Sequence, residues 1–216
     1  MIDAVIFDLD GVLLDSEHVW DQIREAYAQE KGGRWHASAQ ADMMGMNSRE
    51  WSHYMHEVIG LRQSAEEISQ DVAGRVIAVY QQQLPLLEGA VEAVEQLAKR
   101  WGLAVASSSN REVIDVALQL AGLTECFAVT VSSEEVSHGK PQPDVYVEAA
   151  RQLGVVPMAC VAIEDSRNGI LSAKAAGMRV IAVPNRRYPP SHEALGVAAL
   201  VLDSLIQLTP GTIESL

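Results

Sequence analysis

The chain has 216 residues, of which 48% are hydrophobic and 21% charged, an ordinary composition for a folded globular protein. Its 29 acidic and 16 basic residues give a formal net charge of -13, which argues against a surface that binds nucleic acid or an anionic membrane. The acidic surface favours a monomer, and it does not argue against a small anionic ligand, because such a ligand responds to the charges nearest to it.

Two cysteines and the first residues bear on the compartment. Cys126 and Cys160 lie far apart and lack the spacing of metal ligands, so we expect two reduced thiols. The chain enters an apolar run at once, without a basic region followed by a long apolar stretch, so we expect no signal peptide. No apolar run is long enough to span a bilayer. These features predict a cytoplasmic protein without membrane association.

Short and nearly continuous apolar runs predict strands that are buried on both faces. The runs are 4–7, 103–106, 128–131, 160–163, 180–183 and 199–202. Helical patterns separate them, for example the stripe of Val113, Ala117 and Leu120, which ends at Gly122. Because strand and helix alternate, we predict an α/β fold, a doubly wound, Rossmann-like parallel sheet with helices on both faces.

One segment breaks this alternation between the first and second strands. It contains no convincing strand, and helical patterns cover 19–31, 48–59 and 65–83. We therefore predict a small α-helical cap domain over residues 16–87, called the helical insert below. It interrupts a core domain formed by residues 1–15 and 88–216. We expect its tryptophans in the core of the insert, where Trp20 can also shape a ligand pocket.

Polar side chains follow four of the predicted strands, at the edge where an open parallel sheet binds its ligands. They are Asp8 and Asp10 after the first strand, Ser107 to Asn110 after the second, Lys140 after the third, and Glu164 and Asp165 after the fourth. Carboxylates suit Mg²⁺, while a lysine, hydroxyls and backbone N–H groups suit phosphoryl oxygens. The sequence therefore predicts an edge that binds a divalent cation and a small phosphate ester together.

The two aspartates one residue apart repel each other unless positive charge lies nearby. Mg²⁺ held by Asp8 and Asp165, with Glu164 beside them, removes this repulsion, and Lys140 adds a second positive charge. A carboxylate can attack phosphorus, and a second one can protonate the leaving oxygen and later activate water. The spacing of Asp8 and Asp10 therefore favours phosphoryl transfer.

Four stretches resemble, in sequence and in order, the motifs of the haloacid dehalogenase superfamily: FDLDGVLLDS, VASSSN, GKPQPDVY and IEDSRNG. The resemblance spans about residues 2–183, and the helical insert is similar to the first cap type of that superfamily. It implies Asp8 as nucleophile and Asp10 as general acid and base. It implies Ser107 and Lys140 as groups that stabilise the phosphate and the aspartyl-phosphate. The implied Mg²⁺ ligands are Asp8, the backbone carbonyl of Asp10, Glu164 and Asp165.

The branch that this chain resembles holds β-phosphoglucomutases and sugar-phosphate phosphatases. The mutases carry a histidine where this chain has Trp20, and they favour threonine where it has Ser16. The stretch DSEHVW at 15–20 is more similar to the hexitol-phosphate and 2-deoxyglucose-6-phosphate phosphatases. We therefore predict a phosphatase of a hexose or hexitol phosphate. The alternatives are a mutase of the β-phosphoglucomutase type and a phosphate-binding or regulatory protein with a silent site.

Single residues outside the paired carboxylates and the lysine suggest further substrate contacts. Ser108 is expected to bind phosphate through its backbone N–H, and Asn110 either contacts substrate or caps the following helix. Arg49, near the start of an insert helix, is a candidate for substrate binding because arginine suits phosphate recognition. The methionine-rich loop 43–46 either packs between helices or lines a pliable pocket.

Overall fold

The computed structural model describes residues 1–43, 46–185 and 189–216. Within these residues the sheet has six strands: β1 (Ala4–Phe7), β2 (Gly102–Ser107), β3 (Val129–Ser132), β4 (Cys160–Glu164), β5 (Arg179–Ala182) and β6 (Leu200–Val201). All neighbours pair in parallel, in the order β3-β2-β1-β4-β5-β6. The predicted α/β fold is confirmed, and each apolar run forms a strand whose ends lie within one residue of the prediction.

The sheet is covered on both faces, which explains why its strands are apolar without alternation. In β1, Val5 and Phe7 belong to one buried cluster, and Ala4 and Ile6 belong to another on the opposite face. The ring of Phe7 also meets that of Phe127 edge to face, with centroids 5.9 Å apart. Strand β1 therefore lies at the centre of the core, and its last residue leads directly to Asp8.

Helices account for most of the remaining described chain. Four lie in the helical insert: α1 (Glu17–Glu30), α2 (Ala39–Met43), α3 (Ser48–Glu57) and α4 (Ala65–Gln82). The others are α5 (Ala90–Ala98), α6 (Arg111–Ala121), α7 (Asp144–Leu153), α8 (Arg167–Ala175), α9 (His192–Leu195) and α10 (Pro210–Glu214). The sequence patterns predicted α1, α3 and α4, but five-residue α2 is too short to show a helical period. No helix in the described ranges is both long and apolar enough to cross a membrane.

The two connections between the sheet and the helical insert run side by side. The N–H of Asp15 donates to the carbonyl of Pro85 at 2.8 Å, and the N–H of Leu87 donates to that of Leu13 at 3.0 Å. Since β1 points its carboxyl end toward this junction, the insert stands over the edge of the sheet that carries the polar residues. The proposed domain boundaries, after residue 15 and before residue 88, stay a prediction.

Candidate active site

A cavity lies between the carboxyl edge of the sheet and the helical insert. The sheet side of its wall consists of Asp8, Asp10, Ser108, Ser109, Lys140, Asp165, Ser166 and Asn168. The insert side consists of Glu17, Trp20, Arg24, Met43, Met46 and Trp51. Polar residues that were predicted to follow four different strands therefore line one cavity. The methionine-rich loop contributes to its wall, although Met44 lies outside the described residues.

Lys140 is buried between two carboxylates. Its Nζ lies 3.0 Å from Asp8 Oδ1 and 2.6 Å from Glu164 Oε1. The hydroxyl of Tyr146, on α7, donates to the same Glu164 oxygen at 2.8 Å, and the Tyr146 ring centroid lies 4.9 Å from Nζ. Lys140 is thus held against Asp8 by a carboxylate on one side and an aromatic ring on the other.

The cluster carries more negative charge than Lys140 balances. One carboxylate oxygen from each of Asp8, Glu164 and Asp165 lies within 4.8 Å of the others. Burial raises the pKa of Asp8 to about 8, and burial together with the Glu164 charge raises that of Asp165 well above its usual value. Burial alone would lower the pKa of Lys140, but Asp8 and Glu164 outweigh it and raise that pKa. This cluster is rich in carboxylate oxygens and its negative charge exceeds the single positive charge of Lys140, so it fits a hard divalent cation.

The three carboxylates differ in how many hydrogen bonds their oxygens already accept. Glu164 Oε1 accepts from Lys140 and Tyr146, and its Oε2 accepts from the Asp165 N–H (3.0 Å) and from the N–H and hydroxyl of Ser166 (3.3 and 3.1 Å). Asp8 and Asp165 line the cavity, whereas Glu164 does not. The structure therefore offers Asp8 and Asp165 most directly to a cation, and metal ligation by Glu164 stays a prediction.

Gly11 makes room for this cluster. Its φ of +82° lies in the left-handed region, and a Cβ at this position would overlap the Asp165 carboxylate. The chain therefore turns from Asp10 toward the insert at a residue where only glycine fits.

Three donors hold the carboxylate of Asp10. Its Oδ1 accepts from the Ser16 hydroxyl at 2.5 Å and from the Trp20 indole N–H at 3.2 Å, and its Oδ2 accepts from the Ser109 hydroxyl at 2.6 Å. Ser16 and Trp20 belong to the insert, whereas Ser109 follows β2. The Asp10 carboxylate is therefore positioned jointly by the sheet edge and the insert.

Two predicted phosphate contacts, Ser107 and Asn110, do not line the cavity. The Ser107 hydroxyl is fully buried and accepts the Ser109 N–H at 3.0 Å. Asn110 is the N-cap residue of α6, as one alternative predicted, but its side chain makes no capping hydrogen bond. It donates to the Ser69 hydroxyl and to Glu134 Oε1, both at 2.9 Å. This arrangement gives no support to a substrate contact of Asn110, and it shows Ser107 shaping the loop that presents Ser109.

Arg49 also lies away from the cavity. Its side chain is exposed and donates to the backbone carbonyl of Glu134 at 2.7 Å, while Ser48 Oγ donates to Glu134 Oε1 at 2.7 Å. Glu134 belongs to a short 3-10 turn, Ser133–Glu135, that follows β3. Arg49 therefore docks the start of α3 on the sheet edge, and this arrangement gives no support to its predicted contact with substrate.

We expect Arg49→Ala to change KM by less than about fivefold, because a solvent-exposed contact of this kind contributes at most about 1 kcal/mol. Steady-state kinetics with the preferred substrate tests this expectation. Arg49→Lys, which keeps the charge, serves as the matched control. A tenfold or larger rise in KM in Arg49→Ala would instead restore Arg49 as a substrate contact.

Comparison with known proteins identifies the family. Residues 2–177 match the haloacid dehalogenase-like hydrolases. The chain belongs to this family. Hexitol phosphatase B of Escherichia coli (strain K12) is 34% identical to it, over 95% of this chain and 94% of that protein. The phosphorylated carbohydrates phosphatase of Thermotoga maritima is 33% identical, over 83% of this chain and 84% of that protein. The crystal structure of CbbY from Rhodobacter sphaeroides in complex with phosphate has a TM-score of 0.85 at 26% identity and covers 96% of both chains.

The haloacid dehalogenase resemblance, the fold and the predicted enzyme class, a phosphatase of this family, are thus confirmed. Sequence reasoning missed three groups of this hydrolase's site: Glu17 and Arg24 in the cavity wall, and the Tyr146 hydroxyl behind Lys140. One signal was available. Glu17, Trp20 and Arg24 stand at helical spacing on one face of α1, so a buried Trp20 brings both charged residues inward with it.

Proposed function

We propose that this protein is a magnesium-dependent phosphatase that hydrolyses a hexose or hexitol phosphate through an aspartyl-phosphate. The observation that carries the proposal is that Asp8, paired with Lys140 at 3.0 Å, shares a cavity with Asp10, which three donors hold in place. The substrate class is supported by the relatives that act on hexitols and phosphorylated carbohydrates, as their names state. A cytoplasmic location, a monomeric state and the absence of nucleic-acid partners stay predictions.

We assign the metal site to Asp8 and Asp165, with Glu164 and the backbone carbonyl of Asp10 as further candidates. Bound Mg²⁺ would neutralise charge on these carboxylates and on the oxygens of the phosphoryl group.

In the first step, a carboxylate oxygen of Asp8 bonds to phosphorus while the bond from phosphorus to the sugar oxygen breaks. Asp10, in its acid form, gives its proton to that leaving oxygen. Lys140 lies against Asp8 and balances the charge on the phosphoryl oxygens as they pass through the crowded transition state. The products of this step are the free alcohol and an acyl phosphate, the aspartyl-phosphate, on Asp8.

In the second step, Asp10 is a carboxylate and takes a proton from water, whose oxygen attacks phosphorus. The bond between phosphorus and Asp8 breaks, phosphate leaves, and Asp10 is again an acid. The donors from Ser16, Trp20 and Ser109 hold Asp10 in one place for both proton transfers.

Trp20 favours hydrolysis over the mutase alternative. It stands at the position where the mutases carry a histidine, and its indole N–H donates to Asp10 at 3.2 Å. An indole N–H is a donor only and exchanges no proton with substrate near neutral pH, whereas an imidazole does.

Phosphate release from a panel of hexose, hexitol and nucleotide monophosphates tests the proposal. We expect the highest kcat/KM for a hexose or hexitol phosphate, with an Asp8→Asn blank at background. Conversion of β-glucose 1-phosphate in the presence of a sugar bisphosphate, without net phosphate release, would favour the mutase. Phosphate binding without turnover of any ester would favour a silent site.

Metal removal is expected to abolish turnover and to lower thermal stability. With a chelator in excess, phosphate release should fall to background, and millimolar Mg²⁺ should restore it and raise Tm through binding to the folded state. Asp165→Asn should lose most of this rise in Tm, because it removes a ligand and one of the charges that the cation offsets. Asp203→Asn, at an exposed position outside this cavity, is the matched control. Full activity in chelator would contradict the proposed metal dependence.

A further inference from the structure

Arg24 is a buried guanidinium in the cavity wall that has no hydrogen-bond or ion-pair partner within the described residues. It is 7% exposed, and its Nε is buried without an acceptor. A buried charge is costly unless it is paired, and a guanidinium offers five N–H donors in a fixed plane. Since Arg24 lines the same cavity as Asp8 and Asp10, a ligand in that cavity can supply the acceptor that its Nε lacks.

Two tryptophans fix the position of this guanidinium. The Arg24 Cζ lies 5.1 Å from the ring centroid of Trp20 and 4.8 Å from that of Trp51, and the two rings lie 6.0 Å apart. Attraction to both rings holds the charge in place without using any of its N–H groups. Arg24 is therefore oriented before a ligand arrives, which lowers the entropic cost of binding.

Glu17 places an acidic group in the same part of the cavity. It precedes Arg24 by two helical turns on α1, and the two charges interact. Burial raises the pKa of Glu17 to about 7, and the charge of Asp10 is the second contribution in the same direction. Trp20 donates its indole N–H to Asp10 at 3.2 Å and its ring contacts Arg24, so Arg24 lies on the Asp10 side of the cavity.

We propose that Arg24 and Glu17 form the subsite that binds the hydroxyl groups of the leaving alcohol, and so set the preference for a polyol phosphate. This inference rests on the proposed phosphatase function and deepens it. Arg24 donates N–H bonds to hydroxyl oxygens, and Glu17 accepts from the hydroxyl protons. A guanidinium donor and a carboxylate acceptor in one cavity wall complement neutral hydroxyls better than a second phosphate, which Glu17 and Asp10 would repel.

The test compares two substrates and matched variants in the intact enzyme. The substrates are a hexitol phosphate and p-nitrophenyl phosphate, whose leaving group has no aliphatic hydroxyl. We expect Arg24→Met, which keeps the length of the side chain, to lower kcat/KM for the hexitol phosphate by about 10- to 100-fold, mainly through KM. Its effect on p-nitrophenyl phosphate should stay below about threefold.

Arg75→Met is the control for loss of an arginine stacked on an aromatic ring of the insert. Arg75 lies 4.9 Å from the ring centroid of Tyr27, pairs with Glu30 and is not part of the cavity wall. The Arg75→Met substitution should leave kcat/KM for both substrates unchanged. Equal losses on both substrates in Arg24→Met, or no loss on either, would overturn the subsite. A larger loss on a sugar bisphosphate than on the hexitol phosphate would overturn the assignment to hydroxyl groups.

The wild-type enzyme gives an independent readout if Arg24→Met does not fold. Hexyl phosphate has the chain length of a hexitol phosphate but none of its free hydroxyls, and its kcat/KM should be at least about tenfold lower. Equal values for the two esters would overturn the subsite. If the wild type releases phosphate from neither hexitol phosphate nor p-nitrophenyl phosphate, the proposed function fails and this inference fails with it.

Discussion

Asp8→Asn is expected to lower kcat by at least about 10⁴-fold, because the amide has no carboxylate oxygen with which to attack phosphorus. The substitution keeps the size and shape of the side chain, so substrate should still bind. In the proposed mechanism Asp10 does not take this role, because its carboxylate accepts from Ser16, Trp20 and Ser109. Glu164 does not line the cavity, and its carboxylate accepts five hydrogen bonds.

The fold of this variant should persist. Burial raises the pKa of Asp8 to about 8, so the folded protein disfavours its charged form, and an uncharged asparagine removes that cost while Lys140 keeps its ion pair with Glu164. In metal-free buffer near pH 8, the midpoint of urea unfolding should therefore be no lower in Asp8→Asn than in the wild type. Asp71→Asn controls for the chemistry of the substitution: Asp71 is exposed on the insert, and among the described residues its carboxylate accepts only from the Tyr27 hydroxyl. Loss of activity in both variants would contradict the nucleophile assignment.

The sheet and its polar edge were predictable because burial on both faces demands continuous apolar runs. The first such run, at β1, ends one residue before Asp8. Parallel order then fixes that the ends of β1, β2 and β4 meet at one edge, so Asp8, Ser108 and Asp165 come together whatever the detailed packing. Local sequence and topology together thus place most of the candidate site.

The roles of the insert arginines could not be predicted, because they depend on how the insert sits on the sheet. In the sequence, Arg24 and Arg49 are both helix arginines with polar neighbours. The structure buries Arg24 between Trp20 and Trp51 and leaves Arg49 exposed against Glu134. That difference arises from long-range packing of α1 and α3, and no local propensity encodes it.

Glu134 shows how that packing is held. Its carboxylate accepts from Ser48 of the insert and from Asn110 and the Arg111 N–H at the start of α6, while Asn110 also reaches Ser69 of the insert. Side chains without a chemical signature in the sequence therefore join the two parts of the structure. They hold the insert against the sheet edge, where Arg24 and Asp10 line one cavity.

Lys140→Met is expected to damage both catalysis and folding. Without its ammonium group, the transferring phosphoryl oxygens lose the cation that lies beside Asp8, and kcat should fall by about 10²- to 10³-fold. The same change leaves Asp8 and Glu164 buried at 7% and 0% exposure without their shared cation. Removing one partner of a buried ion pair costs about 3–5 kcal/mol of unfolding free energy. Urea unfolding in chelator and steady-state kinetics with Mg²⁺ measure the two effects separately.

A double-variant cycle distinguishes the two roles of Lys140. Adding Glu164→Gln to Lys140→Met removes a carboxylate that has lost its partner, so part of the lost stability should return. Activity should not return, because no ammonium group is restored beside Asp8. Arg151→Met, whose exposed side chain pairs with Glu148 on α7, is the control for loss of an ordinary surface ion pair and should cost less than about 1 kcal/mol. If Lys140→Met were as stable and active as this control, the buried ion pair would have neither of its proposed roles.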